Sequence, residues 1–195
     1  MSHSEGLGPV ATGGPISASG AEAPERVVLV DADGTPIGTA EKSVIHDGDT
    51  PLHLAFSCHV FSSDGRVLVT RRALAKATFP GIWTNAFCGH PAPGEAIQDA
   101  VRRRGARELG IEIGALELSL PEFRYRAVDA SGVVENEICP VFRTLIDADP
   151  VPAADEVAEW AWVAPAALRA AVEATPFAFS PWLVLQLEEW SGFGR

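Results

Sequence analysis

A single amphipathic helix pattern lies between two groups of short strand patterns, and that order limits the chain to a mixed sheet flanked by helices, an α/β (α+β) sandwich. Gly94-Glu95 opens the helix, which runs to about Leu109 and stops at Gly110, a normal C-terminal signal. Upstream, residues 27–30 form a short apolar strand followed by the turn signal Asp33-Gly34. Residues 53–61 alternate, with Leu54, Phe56, Cys58 and Val60 on one side and His53, Ala55, Ser57 and His59 on the other. Ser63-Asp64-Gly65 turns the chain and residues 66–72 return, which predicts a hairpin. Downstream, strands are expected over 116–127 and 133–146, joined at Asp129-Ala130-Ser131-Gly132, and again over 157–163. A short helix over 166–174 and an amphipathic segment over 181–190 close the chain.

With 195 residues, the chain is long enough for one domain and little more. Residues 1–24 are rich in Gly, Ser, Ala and Pro without an apolar period, so a disordered tail is expected there and a single domain over 25–195. Lys and Arg number 15 against 26 Asp and Glu, and 15 − 26 = −11 argues against a nucleic-acid or anionic-membrane partner, which needs a basic face. No stretch of about 18 apolar residues is present to span a bilayer. The start lacks the basic and apolar runs of a signal peptide, and the three cysteines, Cys58, Cys88 and Cys139, show no paired spacing. A reducing cytoplasm is therefore expected, with two of the three thiols serving as small buried apolar side chains.

Several polar residues resist assignment to a plain core. On the helix, Ile97, Val101, Arg104 and Glu108 share one face, so Arg104 and Glu108 stand at the inward end of an apolar stripe. A structural ion pair at this four-residue spacing and a metal-and-phosphate site are the two readings. Glu135 and Glu137, two apart on a strand, point the same way and repel each other unless a cation or a proton lies between them. With His46, His53 and His90 they form a donor set suited to a divalent transition ion. His3 and His59 are expected to be spectators. Lys42, Arg71, Arg72 and Lys76 either clamp a phosphate beside the Gly/Pro-rich loop 77–93 or form a solvated surface, and only one of Arg71 and Arg72 can face the site.

The segment from Gly89 through Glu95, Arg103 and Glu108 to Gly110-Ile111 resembles a Nudix box. Arg104 and Arg107 stand where that superfamily has glutamates, and Gly105 replaces a bulky apolar residue, which argues against pyrophosphate hydrolysis. Six ordered motifs, Leu52-His53-Leu54-Ala55-Phe56-Ser57, Trp83-Thr84-Asn85, Cys88-Gly89-His90-Pro91, Phe123-Arg124-Tyr125-Arg126, Glu135-Asn136-Glu137 and Ser180-Pro181-Trp182, resemble the type 1 isopentenyl-diphosphate delta-isomerase family from about residue 25 through 182. That resemblance implies a Nudix-like mixed β-sheet sandwiched between helices. It also implies interconversion of isopentenyl and dimethylallyl diphosphates by protonation and deprotonation of an alkene. It casts Cys88 and Glu137 as opposed acid/base groups, in an order that the sequence leaves open, and Tyr125 as a hydrogen-bond partner of Glu137. His46, His53, His90, Glu135 and Glu137 would hold one Mn²⁺ or Zn²⁺, and Glu108 a Mg²⁺ bound with the diphosphate. Lys42, Arg72, Lys76 and Arg104 would clamp the phosphates, and Trp182 would face the carbocation. The partner implied is a small prenyl diphosphate, with no nucleic acid, membrane or obligate protein. Rival readings are a Nudix-type pyrophosphohydrolase and a non-catalytic diphosphate-binding module.

Overall fold

The computed structural model describes residues 24–194, so the expected tail, with His3, lies outside the described residues but for Pro24. The chain runs β1 (Arg26–Val30), β2 (Pro36–Glu41), α1 (Lys42–Ile45), β3 (His53–Leu54), β4 (Phe56–Phe61), β5 (Val67–Arg72), β6 (Trp83–Thr84) and β7 (Phe87–Gly89). The long helix α2 (Ile97–Leu109) follows, then β8 (Glu117–Leu120), β9 (Arg124–Val128), β10 (Val134–Ile138), β11 (Val141–Leu145) and β12 (Val157–Val163). Helix α3 (Pro165–Ala174), a 3-10 turn (Pro176–Ala178) and α4 (Pro181–Glu189) end it. Both α3 and α4 begin with proline at a position where its missing N–H costs nothing, and the Ser180 hydroxyl caps α4 by accepting from the Leu183 amide at 3.3 Å. Gly110 ends α2 in the left-handed conformation, at φ 63°.

The strands form two mixed sheets, ordered β2-β1-β3-β10-β9 and β12-β5-β4-β11-β8. This corrects the three long strand expectations, because each breaks in two and sends its halves to different sheets. The breaks fall side by side, at Ala55, at Cys139-Pro140 and at 121–123. Pro140 and Pro121 lack the N–H that a continuous ladder requires. The Ala55 amide donates to Ile138 at 2.9 Å, Ser57 to Pro140 at 3.1 Å and Cys139 to Phe123 at 2.9 Å, which keeps the buried crossing hydrogen-bonded.

The expected hairpin 53–72 is also corrected: β4 and β5 pair only at Phe61↔Val67, next to their turn. Beyond that point they part, and β6 pairs with β5 while β7 pairs with β4, so residues 83–89 are wedged between them. One face of this larger sheet, with Phe56, Cys58, Val60 and Leu68, packs on Ala100, Val101 and Leu109 of α2. The other, with Phe61, Val67 and Val69, packs on Leu168, Leu183 and Leu187 of α3 and α4. The sheet is thus sandwiched as expected. β2 and α1 have no counterpart in the sequence reading.

Two glycines set how closely α2 approaches. A Cβ on Gly89 would stand 2.8 Å from Arg104 Cγ and 2.9 Å from the Phe56 ring, and one on Gly105 would meet Ile113 at 2.5 Å. Gly105, anomalous in the sequence pattern, is therefore where α2 presses against its neighbours. Gly89→Ala should destabilise the fold by about 1–3 kcal/mol, because a rigid ring and a helix side chain must both give way, as read by the midpoint of denaturant unfolding.

His59 is fully buried between the edges of Trp190 and Phe193, each 5.4 Å away by ring centroids. Burial, only partly offset by its hydrogen bond with Gln186, pushes its imidazole down to about 4 from the usual 6.5. As pH falls the unfolded chain takes up this proton first. The contribution is complete above about pH 6.5 and is lost on descending toward pH 4, with a total of about 3 kcal/mol. Unfolding free energy measured across that window should fall more steeply in the native chain than in His59→Phe.

Candidate active site

The wedge carries the first functional side chain. Its register sets Cys88 of β7 opposite Ser57 of β4. The second group belongs to the smaller sheet, where Glu137 of β10 lies between His53 of β3 and Tyr125 of β9. A cavity of about 420 Å³ opens where the sheets diverge. Its wall holds Cys88, Glu137 and Tyr125, the cluster residues His46, His90 and Glu135, and also Lys42, Arg72, Lys76, Arg104 and Trp182. Of the residues to which the resemblance gives roles, only His53 and Glu108 do not line it; His53 stands 3.2 Å from His90 and Glu108 is bonded to Arg104, both of which do. A larger groove of about 760 Å³ is lined mostly by apolar side chains such as Phe79, Phe177 and Val184, and Asp129 is its sole titratable group.

His46, His53, His90 and Glu137 bring one donor atom each within 4.8 Å of one another. His53 Nδ1 lies 2.9 Å from the Pro51 carbonyl, which can only accept, so this nitrogen carries the proton and Nε2 presents a lone pair to the cluster. That Nε2 is 3.2 Å from His90 Nε2, which is 3.2 Å from Glu137 Oε1. Glu135 Oε2 approaches His46 Nε2 at 3.2 Å, yet both atoms are buried without a hydrogen-bond partner. Two orphaned buried polar atoms beside an imidazole–carboxylate cluster fit a divalent ion, which would satisfy them together. Burial alone would raise the Glu137 carboxyl, but His53 and His90 hold it well below the usual carboxylate range. His53 is raised against the pull of burial by the same contact, whereas burial lowers His90.

Cys88 is the one cysteine not fully buried, and all three are free. Burial pushes its thiol up to about 12, with Glu137 adding to the rise. Burial likewise raises Tyr125. The expected Tyr125–Glu137 hydrogen bond is absent from the structure: the two are cross-strand partners, but the carboxylate turns to the histidines. The phenol ring stacks with Phe123 at 5.9 Å and lies tilted against Trp182 at 5.6 Å.

The cations line the opposite rim. Arg72 donates to the Thr78 and Phe79 carbonyls at 2.8 and 3.1 Å, and its guanidinium carbon lies 5.6 Å from the Trp182 ring centroid, so this face of Trp182 already carries a cation. Arg71 points the other way, to Glu159 at 2.7 Å, as the strand alternation requires. Lys42 pairs with Glu25 at 2.9 Å, Lys76 with Glu156, and Arg104 with Glu108 and, at 3.3 Å, Glu156. The structural ion pair at four-residue spacing thus exists, inside a wider network. Four cations, Lys42, Arg72, Lys76 and Arg104, face three carboxylates, Glu25, Glu108 and Glu156, so the rim is net positive in a chain of net charge −11. Glu95 and Arg103, both from the box, form two parallel bonds of 2.8 Å, and Arg103 also donates to the His90 carbonyl at 3.2 Å, which pins the loop bearing that histidine.

A model of the NUDIX domain matches residues 51–183. A relative from Leifsonia xyli, named isopentenyl-diphosphate Delta-isomerase, is 62% identical over 165 residues, covering 84% of this chain and 89% of its own. Another of the same name, from Kocuria rhizophila, is 63% identical over 166 residues, 85% of this chain and 92% of its own. This chain belongs to the isopentenyl-diphosphate Delta-isomerase family. Among solved structures, a Deinococcus radiodurans protein superposes with a TM-score of 0.68 at 21% identity, over 86% of this chain and 99% of its own, which shows a shared fold. The Nudix fold of the isomerase family is thus the frame on which this seam is built.

Sequence reasoning missed Glu25, Glu156, Ser57, Asn85 and Gln186 as neighbours of the site. A signal existed for two of them: Ser57 interrupts a buried strand face, and Gln186 stands alone among apolar residues of α4. The histidine–glutamate cluster should take up one divalent ion per chain, raising the unfolding temperature in the loaded protein. His53→Ala should lose both the ion, by elemental analysis, and the thermal shift.

Proposed function

We infer that the chain interconverts isopentenyl diphosphate and dimethylallyl diphosphate, and that one observation carries this reading: Cys88 and Glu137, brought by different sheets, share the wall of one cavity. Moving an unactivated double bond requires a proton added at one carbon and another removed at its neighbour-but-one, through a cationic state shielded from water. One of the two groups gives its proton to the terminal alkene carbon as a C–H bond forms. The other takes a proton as the new double bond closes. The reaction runs both ways, so each group is acid in one direction and base in the other.

Tyr125 lines the same cavity wall from the strand beside Glu137. Trp182 and Tyr125 give the cationic state an aromatic wall, which interacts more strongly with charge than with the neutral alkene. Lys42, Arg72, Lys76 and Arg104 bind the diphosphate. When bound, a Mn²⁺ or Zn²⁺ on His46, His53, His90, Glu135 and Glu137 supplies a fixed positive charge next to the acid/base carboxyl. Glu108 offers the oxygen donor that suits a Mg²⁺ arriving with the diphosphate.

A pyrophosphohydrolase is disfavoured because Arg104 and Arg107, at positions where the box has glutamates, are engaged as cations, Arg107 with Asp155 at 2.6 Å. Free thiols suit a reducing cytoplasm, and no helix among the described residues is long and apolar enough to cross a membrane. Incubation with isopentenyl diphosphate in deuterated water should place deuterium in a methyl group of the allylic product. Cys88→Ala should lower that rate at least about a thousandfold. Phosphate release without allylic product would reverse the conclusion.

A further inference from the structure

Three fully buried polar side chains, Ser57, His59 and Gln186, lie behind the cavity without lining it. They are joined in series: His59 Nε2 is 2.9 Å from Gln186 Oε1, Gln186 Nε2 is 2.8 Å from Ser57 Oγ, and Ser57 Oγ is 3.2 Å from Cys88 Sγ. The direction of each bond follows from what the atoms can do. An amide oxygen only accepts, so His59 Nε2 is the donor, and its Nδ1, buried without a partner, is the bare nitrogen of a neutral ring. An amide NH₂ only donates, so Ser57 Oγ accepts from Gln186 and its own proton is free to go onward.

Two sulfurs are within reach of that proton, Cys88 at 3.2 Å and Cys139 at 3.4 Å. Cys139 is fully enclosed and stays a thiol, so a bond with it can run from sulfur to oxygen. Cys88 already has a place for its proton. Asn85 Nδ2 donates to the Cys58 and Phe87 carbonyls at 3.0 and 2.8 Å, which turns its Oδ1 toward three donors, the Thr84 hydroxyl at 2.9 Å, Trp182 Nε1 at 3.0 Å and, as the longest of the three, Cys88 Sγ at 3.4 Å. The sulfur of Cys88 thus sits between an acceptor for its proton and a donor for its lone pair.

We infer that Ser57 is a positioning residue for Cys88: the one-way chain from His59 through Gln186 aims the Ser57 hydroxyl at the sulfur, fixing its orientation and supporting it in the state that has lost its proton. This rests on the reading of Cys88 as an acid/base group. When the S–H bond breaks and the proton moves to carbon, the electron pair stays on sulfur and the Ser57 O–H contact to it strengthens; in reverse, the pair takes a proton back and that contact weakens.

Ser57→Ala removes the donor, and Gln186→Glu, nearly the same shape, replaces an N–H with an acceptor that draws the Ser57 proton away from sulfur. Each should lower kcat about tenfold to a hundredfold, the scale of one hydrogen bond to a charged group, with KM unchanged because neither residue touches the cavity. The S–H stretching band of Cys88, identified in Raman spectra as the band lost in Cys88→Ala, should move to higher frequency in both variants, since donation to the sulfur strengthens its own bond to Asn85. A kcat within twofold of native, or an unmoved band, in either folded variant overturns the inference, and if Ser57→Ala does not fold, Gln186→Glu decides it on the same measurements. An inactive Cys88→Ala beside an unimpaired Ser57→Ala overturns the inference alone. An active Cys88→Ala overturns the reading beneath it as well.

Discussion

A strand that ends at Leu54 and resumes at Phe56 can serve two sheets only if its neighbours change sheets at the same level. Here they do, at Cys139-Pro140 and at 121–123, with backbone hydrogen bonds of 2.9 to 3.1 Å across the junction. Buried backbone groups leave no cheaper arrangement, because an unpaired N–H or carbonyl in the interior costs about as much as a lost hydrogen bond. The junction puts His53, Glu135 and Glu137 on one sheet and Cys88, with His90 just past it, on the other, so the cavity between them is a product of topology before it is a product of side chains.

Burial on this scale makes every charge at the junction expensive unless it is matched. The two ends of the cavity solve that problem differently. On the cationic side, Lys42, Lys76 and Arg104 are each held in place by a carboxylate. On the other side, Glu137 rests against two imidazoles, while Glu135 Oε2 and His46 Nε2 face one another without a hydrogen bond. The two ends of the cavity are thus unequally satisfied, the cationic rim by carboxylates already in place and the histidine–glutamate group with polar atoms left over for a metal ion it could hold.

Much of this was legible in the residues. The helix and its Gly110 stop follow from local chemistry, and eleven of the residues to which the resemblance gives roles line one cavity. The strand breaks were not legible, because continuous apolar alternation reads the same whether a strand serves one sheet or two. β2 was missed because Pro36-Ile37-Gly38 has no buried face to set a period; it is an edge strand held by β1 alone. The wedge at 83–89 has strands of only two and three residues, too short for any periodicity. His59, set aside as a spectator, is buried as that reading allowed, but the direction of its hydrogen bond shows only in three dimensions.

Because Cys88 and Glu137 hang from separate sheets, the aperture between them is governed by the angle at which those sheets splay apart. Residues that do not line the cavity, Pro140 and Ala55 among them, therefore act as the hinge pins of a caliper whose jaws are the thiol and the carboxylate.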